Sequence, residues 1–117
     1  MKPAQTAEEL MRSRYSAFVM GNGEYLVATQ APSAGSQGAA DLSAWARGVK
    51  WLGLRIVRTE RGGPKDARGT VEFEARFEDH GQVVTQREVS RFDRVDGHWR
   101  YIGGRQVEPG RWPSQPN

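Results

Sequence analysis

Apolar residues between Thr6 and Gly21 (TAEELMRSRYSAFVMG) recur with a period near 3.6, so that Leu10, Met11, Tyr15, Phe18 and Val19 fall on one stripe. The spacing predicts a single amphipathic helix. Thr6 and Glu9 are spaced as a capping box: the hydroxyl accepts from the Glu9 amide and the carboxylate reaches back to the Thr6 amide. Gly21 stands where a left-handed cap wants no Cβ. A helix this short is marginal alone in water, so another part of the chain must cover its stripe.

An Asn22-Gly23 turn follows, and Glu24 to Gln30 predicts a short second helix carrying Tyr25 and Leu26, closed ahead of Pro32. The small residues of Ala31 to Ala40 (APSAGSQGAA) predict a mobile surface loop. Asp41 is placed to cap a third helix, Leu42 to Arg47, with Leu42 and Trp45 facing inward and Gly48 at its end.

From Lys50 the period drops to 2. In KWLGLRIVR, Leu52, Leu54 and Ile56 alternate onto one face and Trp51, Arg55 and Val57 onto the other. Thr70 to Glu78 puts Val71, Phe73, Ala75 and Phe77 opposite Glu72, Glu74, Arg76 and Glu78, the pattern of a sheet wet on one side. Asp79-His80-Gly81 turns the chain into a long strand, Gln82 to Val95; Asp96-Gly97 is a hairpin signal, and His98 to Ile102 returns. The Glu60–Gly69 loop holds Gly62-Gly63-Pro64 and is irregular. Helices first and hairpin-linked strands afterwards give an α+β domain, with the N-terminal helices packed in the concave face of a curved antiparallel sheet. Residues 1–5 are expected to form a flexible N-terminus, 6–104 the domain, and 105–117, with Pro109, Gly110, Pro113 and Pro116, a poorly ordered tail.

At 117 residues the chain makes one domain. Its 14 glycines fall mostly between predicted elements. With no cysteine there is no disulfide, thiolate metal site or cysteine nucleophile. The net charge of +3 comes from 17 basic residues, 14 of them arginine, scattered among carboxylates. Such mixing reads as a solvated surface, so nucleic acid is not the expected partner. No apolar run could span a bilayer and MKPAQTAEEL lacks a signal-peptide core, so the expected place is the cytoplasm, with no membrane contact.

In order, LMRSRYSAFVMGNGEYLVAT (Leu10–Thr29), WLGLRIV (Trp51–Val57), VEFEARF (Val71–Phe77), EVSRF (Glu88–Phe92) and DGHWRYIGG (Asp96–Gly104) resemble the central domain of the YchJ-like bacterial proteins. The resemblance runs from about Ala7 to Gly104, with RSRYSAF (Arg12–Phe18) its most specific part. It implies a cystatin-like or nuclear-transport-factor-2-like cone, a curved sheet wrapped around a long N-terminal helix. Longer members carry flanking SEC-C zinc motifs. This sequence starts just before the helix and reads GRWPSQPN (Gly110–Asn117) where the second motif would begin, so the expectation is a domain without them and with no zinc. Related sequences tend to read Thr-Trp-His-Pro-Ser where this one has Thr29-Gln30-Ala31-Pro32-Ser33, which removes the histidine near the mouth of the cone. The resemblance supplies a fold and no reaction.

Arg14 lies one turn from Leu10 and Phe18, so it is expected to be partly buried. Glu88 shares a strand face with Ser90 and Phe92; if Phe92 faces the helix, so does Glu88. A buried carboxylate needs a partner, and Arg14 is the candidate, through a bidentate pair. That pair reads either as the polar anchor of a ligand pocket or as a lock of helix on sheet. The candidate pocket comprises Arg14, Tyr15, Phe18, Phe73, Glu88, Ser90 and Trp99. Tyr25, Trp45, Trp51, Phe77 and Tyr101 extend the aromatic set, which serves equally as core, and a tryptophan on the outer sheet face would suit a homodimer interface.

For catalysis the sequence offers no nucleophile with a positioned base. His80 and His98 stand at turns and are expected to be exposed, Asp79, Asp93 and Asp96 stand near turns for backbone reasons, and no spacing suits a metal. The glycine-rich pieces do not match a phosphate loop, and no cofactor is expected. The reading is a non-catalytic domain that binds a small molecule or a protein through a pocket between the first helix and the sheet. The alternative is a small-molecule isomerase, dehydratase or hydrolase with Glu88 as base, an analogy of fold only. A weaker one is RNA binding by Arg55, Arg76, Arg87, Arg91 and Arg100, diluted by Glu72, Glu74 and Glu78.

Overall fold

The first helix, α1 (Ala7–Met20), starts on Thr6, whose hydroxyl accepts from the Glu9 amide at 3.1 Å, and ends on Gly21 at φ 68°. The return half of the box is shifted by one residue: the Glu9 carboxylate accepts from the Gln5 amide at 2.9 Å. The computed structural model describes residues 3–35 and 37–109. After α1 come α2 (Gly23–Ala28), a 3-10 turn (Pro32–Ala34), α3 (Ala39–Arg47) and four strands: β1 (Lys50–Arg61), β2 (Arg68–Asp79), β3 (Gln82–Val95) and β4 (His98–Val107). The strands form one antiparallel meander in the order β1-β2-β3-β4. His80-Gly81 and Asp96-Gly97 both sit at positive φ, as two-residue type I′ hairpins require.

The core lies between α1 and the concave face of the sheet. Leu10 and Met11 pack with Val71, Phe73, Ala75, Phe92 and Trp99, all buried. Phe73 and Phe77 both point toward the helices, and Tyr15 and Phe18 are half-buried. The buried face of α1 follows Ala7, Leu10, Arg14 and Ala17, a run of i, i+3, i+7, i+10. That line places Val19 off its edge, 50% exposed, against its expected place in the stripe.

Sheet irregularity changes which side chains share a face. Trp51 pairs with Phe77 and Gly53 with Arg76, so Leu52 is an extra residue in β1; a second bulge falls at Val57. The first bulge brings Trp51 round to the side of Leu54 and Ile56 and leaves Leu52 45% exposed, the reverse of strict alternation. None of the described tryptophans therefore lies on the outer sheet face: Trp51 joins the helix side, Trp99 is in the core, and Trp45 rides on α3. Trp112 falls outside the described residues.

Helix α3 begins at Ala39, with Gly38 rather than Asp41 as its cap. Asp41 sits inside the first turn, where its charge meets the positive end of the helix dipole. Leu42 is buried as expected, whereas Trp45 is 44% exposed.

The segment after α2 is anchored where a mobile loop was expected. Tyr101 and Gln30 form a parallel bridge: the Tyr101 amide donates to the Thr29 carbonyl at 2.9 Å and the Ala31 amide to the Tyr101 carbonyl at 2.8 Å. Ser33 Oγ adds a bond to the Ile102 carbonyl at 3.3 Å. These contacts satisfy the Tyr101 amide and carbonyl and the Ile102 carbonyl, backbone groups that an edge strand would otherwise leave unpaired in the middle of β4.

Both expected loose ends are partly tied down. The Gln5 carbonyl accepts from Trp99 Nε1 at 3.1 Å and from Arg94 at 3.3 Å. At the other end β4 runs past Gly104, and Arg105, Gln106 and Val107 pair with Val89, Glu88 and Arg87. Residues 1–2 and 110–117 lie outside the described residues.

The convex face is less wet than its alternation suggests. Glu74 is completely buried there, held by Arg55 at 2.6 Å and Arg87 at 3.5 Å, while Arg87 also reaches Glu72 at 2.8 Å. Arg91 lies 3.9 Å from Asp93. Both histidines are exposed, and among the described residues no helix is long and apolar enough to cross a membrane.

Candidate functional site

Where α1 passes over the middle of the sheet, the concave face is not filled. A cavity of about 340 Å³ remains, open at one side between α1, α3 and the sheet. Met11, Tyr15 and Phe18 come from α1, Leu42 and Trp45 from α3, and Trp51, Phe73 and Ala75 from the first two strands. Gln86, Glu88 and Ser90 on β3, Tyr101 on β4, Arg14 and Gln37 supply its polar lining. One end is therefore aromatic and the other polar, as ligand cavities commonly are.

Six of the seven expected pocket residues meet here: Arg14, Tyr15, Phe18, Phe73, Glu88 and Ser90. Trp99 does not. It is buried nearer the N-terminus of α1, with Arg94 stacked 4.6 Å above its ring, because its indole N–H reaches back to Gln5. Gln86 is an addition the sequence allowed, since it lies two residues before Glu88 on the same strand face. Trp51 owes its place to the bulge at Leu52, which no alternation pattern shows, whereas Tyr101 follows Trp99 by two residues onto the same strand face, as simple alternation predicts.

The expected bidentate pair between Arg14 and Glu88 is not formed. Arg14 Nη1 donates to the Leu26 carbonyl at 2.8 Å and to Thr29 Oγ1 at 2.7 Å, and Nη2 to Gln30 Oε1 at 3.2 Å. The guanidinium is thus turned toward the C-terminal end of α2, whose last carbonyls need donors. Tyr101 stands between the two charges. Its ring faces the guanidinium with the centroid 4.8 Å away, and its hydroxyl donates to Glu88 Oε2 at 2.8 Å. Ser90 Oγ donates to the same oxygen at 2.5 Å, and Gln106 Nε2 donates to Oε1 at 3.2 Å. Gly104, opposite Ser90, leaves the room: a Cβ there would run into the Glu88 carboxylate.

Burial lowers the Arg14 guanidinium to about 10, against the opposing pull of Tyr101, Tyr25 and Glu88. Burial and the neighbouring Glu88 charge push the Tyr101 hydroxyl well above the usual phenol range. Tyr15 is also raised by burial, with a backbone bond to Gly53 acting the other way. Both cavity phenols are accordingly neutral donors at neutral pH.

A four-stranded curved sheet closed by a long N-terminal helix over an off-centre cavity is the cone of the nuclear-transport-factor-2-like domains. Residues 6–104 match the model of the YchJ middle NTF2-like domain, and the chain belongs to that family. It is 48% identical over 102 residues to a UPF0225 protein of Chromobacterium violaceum, spanning 87% of this chain and 75% of that one. The solution structure of a SEC-C motif containing protein from Rhodopseudomonas palustris is similar at a TM-score of 0.78 and 32% identity, over 92% of this chain and 83% of that one. The crystal structure of a SEC-C motif containing protein from Psychrobacter arcticus gives 0.74 and 30%, over 99% and 68%.

Proposed function

We propose that this domain binds a small molecule in the cavity between α1 and the sheet and does so without transforming it. The observation behind this reading is an unfilled volume of about 340 Å³ between α1, α3 and the concave face of the sheet, lined by both aromatic and polar side chains. Its aromatic end offers contact area, and its polar end offers a few directed groups to orient a ligand. Binding is favoured over chemistry by the state of Glu88. Oε2 already accepts from both Ser90 and Tyr101, which hold the carboxylate in place and lessen its reach for a substrate proton.

The test is native mass spectrometry of the protein purified from its own host, beside an Ala75→Leu variant. Ala75 is a buried cavity-lining residue, and the added methyl groups occupy cavity space. The wild type is expected to carry a small-molecule adduct that the variant lacks. A bare wild-type mass, with no small-molecule probe perturbing the cavity tryptophans, would count decisively against the reading.

The second reading, an isomerase, dehydratase or hydrolase with Glu88 as base, draws on one fact: the carboxylate does line the cavity. It predicts that the co-purified molecule is converted on incubation with wild-type protein and left intact by Glu88→Gln.

A further inference from the structure

Building on the ligand-binding reading, we infer that the cavity selects compact organic cations, a trimethylammonium or similar onium head on a small apolar body. The shape of the aromatic end is the first reason. Tyr15 meets Trp51 at 86° with centroids 5.8 Å apart, Phe18 meets Trp45 at 85° and 6.0 Å, and Trp45 meets Trp51 at 76° and 5.6 Å. A flat ligand wants parallel walls to slide between. Phe18 and Trp51 are tilted at 41° and 5.5 Å, so none of these ring contacts is parallel. Three near-perpendicular pairs make a corner instead, and a corner of electron-rich faces suits a tetrahedral onium group.

Charge is the second reason. Arg14 and Glu88 are the basic and the acidic side chain on the lining, and they are not equally available. The Arg14 guanidinium is directed at the Leu26 carbonyl, Thr29 and Gln30, with Tyr101 stacked on its face. Glu88 is engaged twice at Oε2, whereas Oε1 takes a single bond of 3.2 Å from Gln106. A carboxylate oxygen can accept more than one bond, so negative charge with acceptor capacity is left at the polar end. Aromatic faces and an under-used carboxylate oxygen both attract positive charge.

Choline and its neutral isostere 3,3-dimethylbutan-1-ol test this, with benzenesulfonate as the anionic probe and the indole N–H signals of Trp45 and Trp51 as the readout. Choline is expected to shift both signals saturably, with an affinity about tenfold above that of the alcohol. Glu88→Gln should reduce choline binding about fivefold and leave the alcohol unchanged. Trp45→Leu, at a half-exposed position and read through the Trp51 signal, should also weaken choline more than the alcohol. Equal binding of choline and the alcohol, or tighter binding of benzenesulfonate, overturns the cation preference while the cavity reading stands. If none of the probes moves either indole signal, both fall.

Discussion

The Tyr101 hydroxyl gives its hydrogen bond to Glu88 Oε2 at 2.8 Å, and the ring that carries it lies beneath the Arg14 guanidinium. One side chain thus keeps two opposite charges from meeting. Its own ionisation is suppressed by burial and by the carboxylate it serves. A phenol whose folded value lies above the unfolded value of about 10 adds stability that is complete below about pH 10. That contribution is lost as the pH rises through the folded value. Urea midpoints should therefore fall more steeply above about pH 10 in wild type than in Tyr101→Phe, and absorbance titration should lose its latest tyrosinate step in the variant. Parallel midpoint curves would refute this.

Arg14 holds α1 to the end of α2 through three acceptors while stacking on β4. Arg14→Ala should cost about 3 kcal/mol, since buried acceptors lose their donors. Arg14→Lys should recover less than half, because an ammonium has neither the planar fork nor the stacking face. Urea unfolding at constant slope reads both values.

On the convex face, Glu74→Ala should cost about 3 kcal/mol, because Arg55 and Arg87 lose a fully buried counter-charge. Arg58→Ala, whose contacts with Glu60 and Glu72 are long and whose side chain is 67% exposed, should change stability by less than about 0.5 kcal/mol. Similar effects from the two would contradict this account.

Gly69→Ala should lower stability by about 2–4 kcal/mol. A Cβ there would overlap backbone atoms of Gly62, whose carbonyl accepts from the Ala7 amide at 2.9 Å. The start of α1 and the β1–β2 connection would be forced apart. Thermal unfolding checks this; a variant within 0.5 kcal/mol, about the scatter of surface substitutions, would show that the approach is looser.

Much of this architecture is readable because its signals are local. The Thr6 cap, the Gly21 stop, the alternation from Val71 to Phe77 and the Asp96-Gly97 turn each act over a few residues, and each has its expected place. Bulges are not local in that sense. Nothing in KWLGLRIVR marks Leu52 as the extra residue, so Trp51 reads onto the wrong face until its partner Phe77 is known. The pairing of Arg14 fails for a related reason: the inward facing of both groups was legible, Arg14 being buried and Glu88 half-buried, but the competing acceptors at Leu26 and Thr29 come from a helix whose docking angle the sequence does not state. Arg105 to Val107 reads as the start of a tail and becomes strand because the long β3 offers Val89, Glu88 and Arg87 as pairing partners, a length of ladder that the short local sequence does not announce.

The docking of Gln30–Ala34 along β4 also bears on how these molecules avoid adhering to one another. It leaves β1 as the free margin of the ribbon, and that margin is bent at Leu52 and Val57 and bears Lys50, Arg58 and Arg61. A neighbouring chain seeking to extend the ribbon meets a selvedge interrupted at Tyr101 and Ile102 on one side and a crooked, cationic one on the other, so continuous fibrous stacking is hindered at both.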